Sequence, residues 1–470
     1  MSTPSSVAAP TDRHILPAAT WSSELRATFA LAWPLVIAQL AQNALFTTDV
    51  IMLGWLGPGF LAAGTLATAF FTPFLLLGIG IVGAVAPLVA QARGARDVKA
   101  VRRVVRQGFW AAIVMAAILI PFLLQIRLIF TTLGQNPTTA AMAEQYMQIA
   151  VWSVIPQLGI IVLRSLLSAF DTTRIILVIT VAGVVINAIV NYLLMFGNHG
   201  FPRLELRGAA TATLVTNSLM FALMLAYVLR HRRFKRYHIL IRFWKPDWSR
   251  FRQLFRIGTP IGFTVLAEVG LFTGAAFFMG WLGTDEVAAH AIALQCASTA
   301  FMVPLGVGMA CTVRVGVAYG RKDSDGIGKA GWIAIIVGTG FMALTALLFV
   351  TAGPLIVRLF LDPDRPANAN ALYLAGTYLV IAGFFQVVDG AQVVAAHALR
   401  GLNDTAIPMV VAFVGYWIVG MPVAYILGFV FEWRGVGIWL GLAAGLALVA
   451  VVLVGRFAMR ERLGLTAPAA

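Results

Sequence analysis

Twelve apolar stretches, each long enough to cross a bilayer, follow one another along this chain. They cover roughly residues 28–55, 60–91, 104–130, 140–168, 175–197, 208–229, 254–281, 286–319, 328–360, 369–399, 406–430 and 435–459. About 20 apolar residues at helical rise span the hydrocarbon layer. Inside that layer a segment must satisfy its own backbone hydrogen bonds, which favours helices. The expected fold is therefore an all-α membrane protein with twelve transmembrane helices. Composition agrees: 60% of the residues are hydrophobic and 11% charged, against about 45–50% and about 25% in soluble domains. Several runs exceed the minimum length, so tilt or kinks are expected. Pro34, Pro73, Pro87, Pro121, Pro156, Pro260, Pro304 and Pro408 lie within or at the ends of the runs.

The net charge of +15 does not call for a nucleic-acid partner, because the bases collect in loops on one side. That side takes Arg93, Arg96, Lys99, Arg102, Arg103 and Arg106, then Arg164 and Arg174. It also takes ten bases between Arg230 and Arg256, and Arg321, Lys322, Lys329, Arg400, Arg456, Arg460 and Arg462. The other side holds only Arg127, Arg203, Arg207, Arg358, Arg365 and Arg434. The positive-inside rule places both termini in the cytoplasm, and an even number of spans agrees. The chain divides into a polar N-terminal tail at 1–25, a first lobe at 26–230, a basic linker at 231–253, a second lobe at 254–460 and a C-terminal tail at 461–470. The linker reads as a solvated loop that fixes topology, with Trp244 and Trp248 suited to the headgroup zone. Cys296 and Cys311 share one apolar stretch and suggest neither a disulfide framework nor a thiolate metal site.

The two halves repeat. LAWP at 31–34 recurs as IGTP at 257–260, and MLGWLG at 52–57 as FMGWLG at 278–283, both with a spacing of 226. Gly80 matches Gly306, Arg207–Gly208 matches Arg434–Gly435, and FDTT at 170–173 matches NDTA at 403–406. Six spans return the chain to its starting side, so the halves are parallel repeats about an axis along the membrane normal. Two pseudo-symmetric six-helix lobes leave a cleft between them, where secondary transporters place their sites.

Three acids interrupt the apolar runs: Asp49, Glu268 and Asp389. An acid at the centre of a membrane helix costs about 2.5–3.5 kcal/mol on insertion scales and marks a functional site by default. The acids ignore the repeat, since Glu268 corresponds to Gln42 and Asp49 to Ala275. The scaffold is duplicated and the chemistry is not. There is no Walker A motif and no soluble domain to hydrolyse ATP. An ion gradient remains as the energy source, and a buried carboxylate can carry H⁺ or help replace the hydration shell of Na⁺. Gln39 and Gln42 share the Asp49 helix, Asn187 and Asn191 lie four apart on one face, and Thr211 and Thr213 add hydroxyls; these are candidates for an oxygen cage near Asp49. Asn is equally ordinary glue between helices. His290 and His397 read as packed histidines rather than proton carriers. Arg314 either snorkels or pairs with an acid. Phe46, Phe272 and Phe385 are among the aromatic residues able to face an organic cation, although most such rings fill cores. No HExxH or GxSxG motif suggests an enzyme.

The chain resembles the MATE family of multidrug and toxic compound extruders, in its NorM-type branch, from about residue 26 to 460. The resemblance rests on Gln42 to Gly57, on AEVxLF from Ala267 to Phe272, and on QVVDGAQVVAAHALRGLND from Gln386 to Asp404. It implies a V-shaped pair of lobes open to the outside, and antiport: cation in, drug out. It implies that Glu268 and Asp389 form a cation site in the second lobe, holding the metal ion if the coupling ion is Na⁺. It implies that Asp49, with Asn187, Asn191 and Thr211, serves the first lobe. Family substrates are amphipathic organic cations such as fluoroquinolones and dyes. The expected protein is then a monomeric multidrug efflux antiporter in a bacterial inner membrane, with no cofactor beyond a coupling Na⁺ or H⁺. The alternative is a lipid-linked precursor flippase of the same broad superfamily, which often carries extra segments and a basic cleft.

Overall fold

A computed structural model describes residues 20–362 and 364–466. Most of the expected N-terminal tail and the last residues of the C-terminal one lie outside the described residues. Twelve helices are long and apolar enough to cross a membrane among them. In chain order they are α1 (Trp21–Leu56), α2 (Pro58–Gly94), α3 (Val98–Leu123), α4 (Pro137–Ala169), α5 (Thr173–Phe196) and α6 (Glu205–Arg230). The second lobe follows as α7 (Trp248–Leu282), α8 (Thr284–Gly320), α9 (Ser324–Val357), α10 (Ala369–Gly401), α11 (Ala406–Val430) and α12 (Arg434–Ala458). Odd-numbered helices start, and even-numbered ones end, at the end that carries most of the bases; we call it the basic end.

The duplication written in the sequence reappears as matched local geometry. Gly57 (φ 125°) and Gly283 (φ 140°) make the sharp turns after α1 and α7, a backbone conformation only glycine adopts without strain. Asp97 caps α3 by accepting from the Ala100 amide at 2.9 Å, and Asp323 caps α9 by accepting from Gly326 at 2.8 Å. The residues before those caps, Arg96 (φ 57°) and Lys322 (φ 60°), are both left-handed.

The lobes meet through α1 against α8 and α2 against α7 and α8. Matched glycines make the close approach possible. A Cβ on Gly80 would lie 2.4 Å from the Cα of Gly262, and one on its counterpart Gly306 would lie 2.6 Å from Val36. Nearer the basic end, Gly94 abuts the Val317 carbonyl and Gly320 abuts the Gln91 carbonyl. Toward the opposite end, Cβ atoms on Gly57, Gly59 and Gly280 would meet open space. Trp55, Phe277 and Trp281 are exposed there. The lobes are joined over their basic halves and diverge beyond them. An open, largely apolar face of α2 lies on that half, formed by Pro58, Leu61, Ala62, Thr65, Leu66 and Ala69.

Polar contacts seal the basic end. Glu24 of α1 is 4% exposed and takes a two-bond ion pair from Arg314 of α8, with Nε to Oε1 at 2.7 Å. Gln91 donates to the Gly401 carbonyl at 2.8 Å and accepts from Asn403 at 2.8 Å. Arg314 is thus paired across the lobes rather than snorkelling.

Three sequence expectations change. Helix α1 starts at Trp21, capped by Thr20, so the N-terminal tail is shorter than expected. Arg164 lies inside α4 rather than in a loop. The basic linker is docked, not solvated: Phe234, Tyr237 and Ile239 are buried, Phe234 and Tyr237 pack on Phe170, and Trp110 donates to the Phe243 carbonyl at 3.0 Å. Apolar and aromatic residues interleaved among its bases give the linker a face to bury. Trp244 and Trp248 remain exposed, as expected.

Candidate functional site

Asp49 lies on α1 two turns before the Gly57 turn, and the first lobe folds amides and a hydroxyl around it. Asn191 of α5 donates to Oδ1 at 2.6 Å, and the same amide donates to Asn187 Oδ1 at 3.0 Å. Their spacing of four residues puts both on one helix face. Thr213 of α6 stands 3.4 Å from Oδ2 and shares its hydroxyl with the Ala209 carbonyl. Thr211 does not reach the acid; its hydroxyl donates to the Arg207 carbonyl at 2.8 Å. Two residues are about 200° of helical turn, so only one of these threonines can face α1. Asn187 and Asn191 are fully buried, yet Asn187 Nδ2 and Asn191 Oδ1 have no partner among the described residues. Buried amides without partners are exceptions that call for an explanation, commonly a water or an ion. Gln42 and Phe46 lie farther back on α1, with Phe46 half exposed.

The second lobe brings Glu268 and Asp389 together from α7 and α10. Phe272, one turn after Glu268, and Phe385, one turn before Asp389, meet edge to face with ring centroids 6.0 Å apart. The two carboxylates act on one another electrostatically, and Arg400 acts on Glu268. Asp389 is buried and its Oδ1 has no hydrogen-bond partner among the described residues. Phe385 is 2% exposed and stacks edge-on against Trp439, so it supports the acids from within the lobe instead of lining the cleft.

Sequence reasoning missed the helix that braces both acids. Within α11 the residues Val414–Gly420 form a π-helical turn, a feature frequent at functional sites. Tyr416 accepts from Gln392, one turn beyond Asp389, at 2.7 Å. Trp417 donates to the Ala267 carbonyl, directly before Glu268, at 3.2 Å. Toward the basic end a cavity with room for about one water is bounded by Thr264, Gln392, Arg400 and Thr405 among others. Neither the aromatic pair in VGYWIVG nor the π turn carries a sequence signature that separates it from an apolar span.

The histidines divide. His397 Nδ1 is 2.8 Å from the Val393 carbonyl and Nε2 is 3.2 Å from Arg400. The ring donates at one nitrogen and accepts at the other, which is the neutral form. His290 is buried against Trp439, with ring centroids 5.4 Å apart, and neither nitrogen has a partner among the described residues. No cluster of three or more His, Cys, Asp or Glu able to hold a metal ion occurs among the described residues. Oxygen-rich pockets built on one or two carboxylates suit a proton or a hard monovalent cation.

The sequence pattern of the MatE family matches residues 34–193 and 260–426. A probable multidrug resistance protein NorM of Mesorhizobium japonicum is 46% identical over 94% of this chain and 95% of its own. A protein of the same name from Brucella suis is 45% identical over 93% of each chain. Among solved structures, an outward-facing multidrug resistance MATE family transporter of the MOP superfamily shares the fold, with a TM-score of 0.85, 19% identity, and coverage of 95% of this chain and 97% of its own. Twelve helices in two lobes, with an intramembrane acid site in each, are the architecture of a multi-pass secondary transporter rather than an enzyme, and the chain belongs to the MATE family, in its NorM-type branch.

Proposed function

We propose that the protein is a multidrug efflux antiporter that exports amphipathic organic cations in exchange for Na⁺ or H⁺. The observation that carries this reading is the pair Glu268 and Asp389: two acids inside the second lobe whose helices meet through the Phe272 and Phe385 rings, one acid with a buried oxygen lacking any partner among the described residues. While ionised, such a pair can hold a metal cation or take up a proton, and either neutralises its charge. The names of the relatives, the opening of the cleft away from the basic end, and the open apolar face of α2 fit export of bulky apolar cations. In this reading the basic end is cytoplasmic, by the positive-inside rule, and the membrane is a bacterial inner membrane.

The cycle follows from linkage. A cation entering from outside neutralises the carboxylates, which removes the charge that holds an organic cation and favours its release. Once the lobes have reversed, loss of the cation to the cytoplasm restores the charge. Asp49 with Asn187 and Asn191 provides a second acid site in the first lobe. The test is reconstitution in proteoliposomes with ΔpH and ΔpNa imposed separately. One of the two gradients should drive uphill movement of a fluorescent cationic dye; dye movement that ignores both gradients contradicts antiport.

A further inference from the structure

Arg164 takes no part in either acid site. It lies in α4, five residues before that helix ends at Ala169. Helix side chains lean toward their own N-terminus, and α4 runs toward the basic end. The guanidinium therefore reaches into the membrane interior, the reverse of snorkelling. There Nη2 donates to Gln39 Oε1 of α1 and stands 3.5 Å from Met309 Sδ of α8, in the other lobe. Arg164, Gln39 and Met309 are each only partly buried, although all three lie inside helices where the lobes meet. That combination puts them at the floor of the inter-lobe cleft. Among the described residues no acid pairs with Arg164, and its Nε is buried without a hydrogen-bond partner.

A guanidinium stays protonated and presents a planar fork of donors matched to a carboxylate. Left unpaired inside a membrane protein it is costly. Other bases avoid that cost: Arg314 pairs with Glu24, Arg434 with Glu286 and Arg456 with Asp404. Nor does the scaffold demand a cation here. Arg164 stands seven residues before Asp171, and the residue seven before the matching Asp404 is His397, which is neutral.

We propose that Arg164, held by Gln39, is an anion-recognising subsite at the floor of the cleft, and that it takes the carboxylate of zwitterionic substrates. Gln39 and Asp49 are ten residues apart on α1, about 15 Å of helix. A drug-sized molecule with a carboxylate at one end and an ammonium at the other fits that span, cation toward Asp49. The inference rests on the efflux reading and adds a selectivity to it: compounds carrying an anionic group are favoured over their neutral-ended analogues.

The test uses the full-length protein in nanodiscs and two probes, a fluoroquinolone with a free carboxylate and a protonated piperazine, and its methyl ester. The wild type should bind the acid at least tenfold more tightly than the ester. Arg164→Gln should collapse that ratio at least tenfold, and Arg164→Lys, which keeps the charge and loses the fork, should collapse it part of the way. If Arg164→Gln does not fold, the lysine variant decides, and an unchanged ratio overturns the proposal. A wild-type ratio near one, or equal weakening of both probes in either variant, also overturns it and leaves Arg164 as a structural peg. A cationic dye without an anionic group separates the two levels. If the wild type binds the dye but shows no preference for the acid, the subsite alone fails; if it does not bind the dye, the efflux reading fails.

Discussion

At the scale of single residues, the Asp49 pocket ranks its own contacts. The Asn191 bond is short and charge-assisted; bonds of this kind contribute about 1.5–3 kcal/mol. The Thr213 hydroxyl is 3.4 Å away and shared with a backbone carbonyl, which argues for about 1 kcal/mol or less. Both donors stabilise the ionised carboxylate, so their loss favours its neutralised form. Apparent affinity for the coupling ion, read as half-saturation of dye efflux, should shift by about tenfold or more in Asn191→Ala and about threefold to fivefold in Thr213→Val, toward tighter binding where the ion is H⁺. Thr211→Val should leave it within twofold, and the reverse order for the two threonines would contradict the geometry. The asparagines were legible from sequence because spacing of four fixes a face. Which threonine faces Asp49 was not, because α6 is apolar nearly all round and its pattern sets no rotation.

At the scale of the helix, the lobes are held by backbone proximity that only glycine permits. A side chain on Gly94 would have to displace the Val317 carbonyl, and overpacking of this kind costs about 1–3 kcal/mol. Gly94→Val should lower the thermal midpoint in detergent clearly. Gly83→Ala, where a Cβ meets nothing within 4 Å, should leave it level or raise it slightly, since alanine favours helix. Equal midpoints for the two variants would mean that the glycine contacts do not join the lobes. The repeat was legible because proline and glycine motifs at the start of each lobe recur at a spacing of 226. The π turn of α11 was not, since a backbone register shift leaves no composition behind it. The same turn brings Tyr416 and Trp417 to the two acids' helices, so the support of the site escaped sequence reading although both acids did not.

At the scale of the molecule, the ion pair of Glu24 with Arg314 joins the lobes at the basic end, beside the Gln91 bonds and the glycine contacts. Glu24→Gln leaves the Arg314 guanidinium without its charge partner, and removing one member of such a pair costs about 3–5 kcal/mol. That cost falls on the state closed at the basic end, so the population should shift toward states open there. Spin labels placed across the basic ends of α2 and α8 should report longer and broader distances in Glu24→Gln, with the wild-type distribution recovered in the swap Glu24→Arg with Arg314→Glu. An unchanged distribution would show that the glycine interface closes the basic end without the pair. Twelve spans, two lobes and the acids were visible in the sequence because hydropathy and charge are local properties. The pairing of Glu24 with Arg314, 290 residues apart, and the docking of the linker are products of packing between lobes and loops.

The central claim is that Glu268 and Asp389 form one coupling site. It is tested most directly by gradient-driven dye efflux in proteoliposomes for the wild type, Glu268→Gln and Asp389→Asn, each first shown to be folded by gel filtration. Either substitution alone should abolish the response to the gradient that drives the wild type. Wild-type efflux rates in both variants would contradict the claim.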